Sequence, residues 1–100
     1  MRVQKLRPGL WRWTARHPEW TPAEEWGEEV GCIYQETEDV VTLIDPLIPL
    51  EDSAGFLAAL DRDVARAARP MHILITIFWH ARSAATLVER YPGTRVWVHE

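Results

Sequence analysis

The stretch His72-Ile73-Leu74-Ile75-Thr76-Ile77-Phe78-Trp79-His80-Ala81-Arg82-Ser83 decides the reading of this chain. It opens as an apolar run without alternation, the pattern of a strand buried on both faces. It ends in a polar junction holding a His, an Arg and a Ser. In open α/β sheets the loop leaving the carboxyl end of a central strand is where ligands usually bind. Trp79, His80 and Arg82 are therefore the first candidates for a site.

Working outward, Pro70 precedes this strand and closes a helix that runs from Asp52 or Ser53 to about Arg69. Asp52 and Ser53 are candidate N-caps, since a short side-chain oxygen can accept an orphan N–H of the first turn. Phe56, Leu57, Leu60, Val64, Ala67 and Ala68 fall on one stripe at helical spacing. Asp61, Arg62, Asp63, Arg66 and Arg69 cover the other side. Beyond the junction, Ser83 to about Tyr91 reads as a second helix burying Ala84, Leu87, Val88 and Tyr91. Pro92-Gly93 stops it, and Thr94–Val98 reads as a last strand. Upstream, Val30–Glu36 and Val40–Ile44 are strands joined by the turn Thr37-Glu38-Asp39, which predicts an antiparallel hairpin. From Val40 on, the order is strand, helix, strand, helix, strand. Two consecutive crossovers of this kind are parallel and right-handed. They bring Asp45, His80, Arg82, His99 and Glu100 to the same edge of the sheet.

The first strand is assigned to Leu10–Arg16, where apolar and polar residues alternate. The preceding residues are read only as basic, through Arg2, Lys5 and Arg7. Residues 1–29 form a Trp-rich β start, and residues 30–100 a hairpin followed by βαβαβ. The fold class is α/β, in part α+β, within a single domain spanning 1–100 or one half of a larger one. A flavodoxin-like doubly wound sheet is the runner-up; it would need a strand and helix before Val40.

Composition narrows the function. A net charge of −4 argues against a general nucleic-acid binder, because neutralising phosphates needs a basic face. No apolar run approaches the roughly 20 residues of a membrane span. The single Cys, Cys32, fits a reducing compartment and a buried thiol, so the expected location is cytoplasmic. The four Glu of residues 24–29 read as a solvated face, with a hard-cation site as the alternative. Asp45 has two readings: a turn former bonded to local backbone, or a member of a polar site. His80 is a candidate ligand or acid–base group or a hydrogen-bonded loop residue. Arg82 is a candidate anion binder and Trp79 a packing residue or stacking platform. Neither a nucleophile elbow nor a phosphate-cradling glycine loop is present.

The layout from Val30 onward resembles the amino-terminal half of the metallo-β-lactamase fold. Leu43-Ile44-Asp45-Pro46 is similar to the family's Leu-Ile-Asp-x-Gly, and Leu74-Ile75-Thr76 to the approach to its Leu-Thr-His-x-His-x-Asp-His motif. The resemblance implies an αββα half-sandwich. The metal motif departs from the family: Ile77, Trp79, Ala81 and Arg82 stand where His, His, Asp and His are expected. None of the four offers a lone pair to zinc. What the resemblance implies is thus a hydrolase-like protein without the zinc motif and without a cofactor, taking a small anionic ligand through His80 and Arg82. Two other readings stay open. One is an active metal-dependent hydrolase holding zinc through His80, Asp45 and groups of a missing carboxyl-terminal half. The other is an interaction module presenting Trp11, Trp13, Trp20 and Trp26. A half-fold also leaves one sheet face uncovered, which predicts self-association or a missing half.

Overall fold

A computed structural model describes residues 2–16, 22–23, 29–76 and 82–98. The described chain is a small α+β domain with one six-stranded mixed sheet and two helices. The strands are β1 (Arg2–Arg7), β2 (Leu10–Arg16), β3 (Glu29–Glu36), β4 (Val41–Ile44), β5 (Met71–Ile75) and β6 (Arg95–Val98). Helix α1 (Ser53–Ala67) links β4 to β5, and α2 (Arg82–Arg90) links β5 to β6. Spatial order follows chain order, β1 to β6. The first four strands form an antiparallel meander, and β4, β5 and β6 run parallel.

The expected hairpin and both crossovers are present. β1 is an addition to the sequence reading. Its two apolar residues, Val3 and Leu6, are three apart and exposed, so hydrophobic alternation gives little sign of it. The turn that makes it is plain: Pro8-Gly9 lies between paired Arg7 and Leu10, with Gly9 at φ 76°. Proline presets the first turn position, and the second needs a positive φ that glycine adopts without strain.

Register divides the sheet into two faces. Trp11, Tyr34, Leu43, Ile73 and Val96 are successive neighbours on one side. Arg12, Ile33, Ile44, Leu74 and Trp97 are successive neighbours on the other. Phe56 and Leu60 of α1 and Ala84 and Leu87 of α2 join one core with Trp13, Cys32, Tyr34, Leu43, Ile73 and Ile75. Both helices therefore cover the same face. Two right-handed crossovers stepping the same way along a sheet can do nothing else. The expectation of a strand buried on both faces is corrected accordingly. Met71, Ile73 and Ile75 of β5 are buried, whereas His72 and Leu74 are half-buried.

Details of α1 also differ from the sequence reading. Asp52 stands at the N-cap in a left-handed conformation, φ 55°, and makes no side-chain cap bond. The helix ends at Ala67, two residues early, because Ala68 turns left-handed at φ 53° while its N–H still bonds the Val64 carbonyl. Ala68 is exposed and leaves the apolar stripe. Two polar clusters tie the helices down. The Tyr34 hydroxyl donates to Glu36 at 2.7 Å, and Arg66 and Arg69 of the α1 end face the same carboxylate. Arg90 and Tyr91 both donate to Asp61, joining α2 to α1.

Candidate functional site

The carboxyl ends of β4 and β5 meet at Asp45. Its N–H donates to the Leu74 carbonyl at 2.9 Å, extending the parallel ladder by one bond. Its backbone then turns left-handed, φ 48°, a conformation that Asp tolerates better than most residues. That turn directs the side chain back toward β5. One carboxylate oxygen accepts the Thr76 N–H at 2.7 Å, and the other accepts the Thr76 hydroxyl. Asp45 is buried, at 8% exposure. Asp45 thus stands in a turn, and its carboxylate also reaches Thr76, 31 residues along the chain.

The segment after Asp45 is tied on three sides. The Trp13 indole N–H donates to the Leu47 carbonyl at 3.0 Å, anchoring the segment to β2. The Ile48 N–H donates to the Ser83 hydroxyl at 2.8 Å, anchoring it to the start of α2. Ser83 is itself buried, at 7% exposure. Thus β2, β4, β5 and α2 converge on residues 45–48. In the sequence Ser83 belongs to the polar junction and opens a helix, while Thr76 belongs to the strand and to the motif resemblance; in the structure Thr76 lies one residue beyond the end of β5. The signal for Thr76 was its place in Leu74-Ile75-Thr76, at the carboxyl end of the strand beside Asp45.

Of the edge constellation expected from the sequence, the structure places Asp45. Trp79, His80, His99 and Glu100 lie outside the described residues, as does the Arg82 side chain, although Arg82 begins α2. A ligand crevice at a sheet edge opens where neighbouring loops diverge to opposite faces. Here the order of β4, β5 and β6 does not reverse and both helices share a face; the bonds from Thr76 to Asp45 join the exits of β4 and β5.

Donor chemistry can be tested against zinc. Among the described residues, no group of three or more His, Cys, Asp or Glu side chains could hold a metal ion. Both Asp45 oxygens accept hydrogen bonds from Thr76. The described side chains do not fit a zinc site. Cys32 is fully buried beneath the helices, and burial pushes its thiol up to about 12, which suits an unreactive core residue. The two described members of the Trp group do not form an exposed patch. Trp13 is fully buried against Phe56, and Trp11 stacks on Tyr34 at 4.9 Å. Trp20 and Trp26 lie outside the described residues.

Among the described residues, no helix is long and apolar enough to cross a membrane. No protein-family model matches the chain, and neither a curated protein nor a solved structure matches it.

Proposed function

We propose that this chain is a metallo-β-lactamase-like hydrolase scaffold that has lost the zinc-binding motif and takes a small anionic ligand beside His80 and Arg82. The observation that carries this reading is the Asp45–Thr76 clasp. An Asp directly after Leu43-Ile44, at the carboxyl end of a parallel strand, accepts from Thr76 just past the next strand through both oxygens. The antiparallel meander leading into two same-handed crossovers supports the same scaffold. The sequence Ile77, Trp79, Ala81 and Arg82, where the family's motif has His, His, Asp and His, supports the loss of metal.

Zinc and iron stoichiometry on the untagged protein tests the reading. The expected result is no stoichiometric metal with the fold intact by circular dichroism. About one metal per chain, lost in His80→Ala, would replace this reading with a metal-dependent hydrolase. With metal absent, phosphate and acetate titrations followed by tryptophan fluorescence test the anion. The expected response is lost in Arg82→Gln.

A further inference from the structure

A cleft of about 290 Å³ runs between the edge strand β1 and helix α1, away from the Asp45 clasp. Val3 and Lys5 form the β1 wall, Trp11 lines it from β2, and the other side is Asp52, at the N-cap of α1, with Gly55, Phe56, Ala59 and Asp63 of the helix. The α1 residues recur at helical spacing, so they make one stripe along the helix. Aromatic and aliphatic groups fill the middle of that stripe, and a carboxylate stands at each end. Gly55 and Ala59 keep the helix side shallow. A Cβ on Gly55 would lie 2.5 Å from an Asp52 carboxylate oxygen, so glycine there lets that carboxylate lie along the stripe. Asp52 does not cap the helix, although it occupies the capping position. Val3 remains 56% exposed beside the cleft.

β1 is the outermost strand on this side among the described residues. An edge strand presents outward-facing N–H and C=O groups that pair with another extended chain. An edge strand beside a helix with an apolar groove between them is the geometry of strand addition, in which main-chain bonds hold the peptide and alternate side chains enter the groove. Charge sets the sequence such a strand would carry. Two carboxylates face one lysine, Lys5, in the lining; Arg66 lies 3.8 Å from Asp63 and neutralises part of its charge. From Asp52 to Asp63 the helix rises about 16 Å, at 1.5 Å per residue. An extended strand covers that span in about five residues, and its alternate side chains share a face.

We infer that the β1–α1 cleft binds an extended peptide as an added strand, with the pattern basic–x–apolar–x–basic directed into it. The apolar side chain sits over Trp11 and Phe56, and the basic side chains reach Asp52 and Asp63. This site is independent of the function proposed above.

Fluorescence anisotropy on the full chain tests it with a labelled Thr-Lys-Thr-Leu-Thr-Lys-Thr peptide. Saturable binding is expected. Asp52→Asn and Asp63→Asn should each weaken it about threefold, as for exposed ion pairs, and Lys5→Gln should tighten it about twofold. Ala59→Leu, which fills the groove while keeping a good helix former, should weaken it at least about tenfold, with the fold checked by circular dichroism. Exchanging the Leu with a neighbouring Thr moves it to the opposite face of the strand and should abolish binding. Equal affinity for a peptide with Glu in place of Lys, or for the exchanged peptide, would overturn the inference. So would no binding at all, or unchanged affinity in both Asp variants.

Discussion

Asp45 shows how one residue carries two obligations. It must leave β4 through a left-handed backbone conformation, and it must satisfy Thr76 on the neighbouring strand. Replacing it by Ala removes the acceptor of the Thr76 N–H, on an exposed residue, and should cost about 1 kcal/mol. Asp45→Asn keeps one carbonyl acceptor and should cost less. Urea unfolding of the two variants checks the order; equal stability of Asp45→Ala and the native chain would remove the clasp from the account. The position of Asp45 after a β-branched strand was legible in the sequence. Its partner was not, because Thr76 becomes its neighbour only when β4 and β5 pair in parallel at one particular register.

At the scale of elements, two carboxylates tie the helices to the rest of the fold. Burial opposes ionisation of Glu36, but the Tyr34 hydroxyl and the Arg66 and Arg69 guanidiniums outweigh it and hold the carboxyl below its usual range. Hydrogen bonding from Arg90, joined by Tyr91, holds Asp61 below its usual range as well. Carboxyls lowered in the folded state contribute stability that is present above their unfolded values and is lost as pH falls through the folded ones. The ordinary values are 4.5 for Glu36 and 3.8 for Asp61, so stability should decline as pH falls below that region. In Tyr34→Phe the gap between stability at pH 7 and at pH 3 should narrow, because Glu36 loses one of the bonds favouring its charged form. Urea titrations at the two pH values check this; an unchanged gap would rule out the Tyr34 bond as its source. The charged side of α1 was visible in the sequence as a solvated stripe. That Asp61 and Arg66 within it reach α2 and β3 depends on how the helix lies on the sheet.

At the scale of the whole molecule, both described helices pack on one face of the sheet, and among the described residues the other face carries no helix. Ile73 and Leu74 are adjacent in β5 and equally apolar, yet Ile73 is fully buried and Leu74 only half-buried. Ile73→Ala should cost about 3 kcal/mol and Leu74→Ala about 1 kcal/mol, since the cost scales with the cavity left behind. Equal costs in urea unfolding would mean that the face holding Ile33, Ile44, Leu74 and Trp97 is as tightly packed as the helix face. The one-sided core also explains why an unbroken apolar run misleads. Ile73-Leu74-Ile75 reads as burial on both faces, but among the described residues no helix lies over the largely apolar Leu74 row.

The sequence by itself determined the elements from Val30 onward. Helical and strand periods, the Pro and Gly stops and short turn lengths are local properties, and local sterics and hydrogen bonding decide them. It also determined the parallel course of β4, β5 and β6, because each crossover is long enough for a helix and chirality allows one hand. Only the tertiary structure decided that β1 completes the sheet, since a strand whose apolar residues stay exposed gains its place by pairing with β2 rather than by burial. Likewise it alone decided that Asp45 meets Thr76 and Ser83 meets Ile48. Those contacts join residues more than thirty positions apart, and only sheet register and helix placement bring such residues within hydrogen-bonding distance.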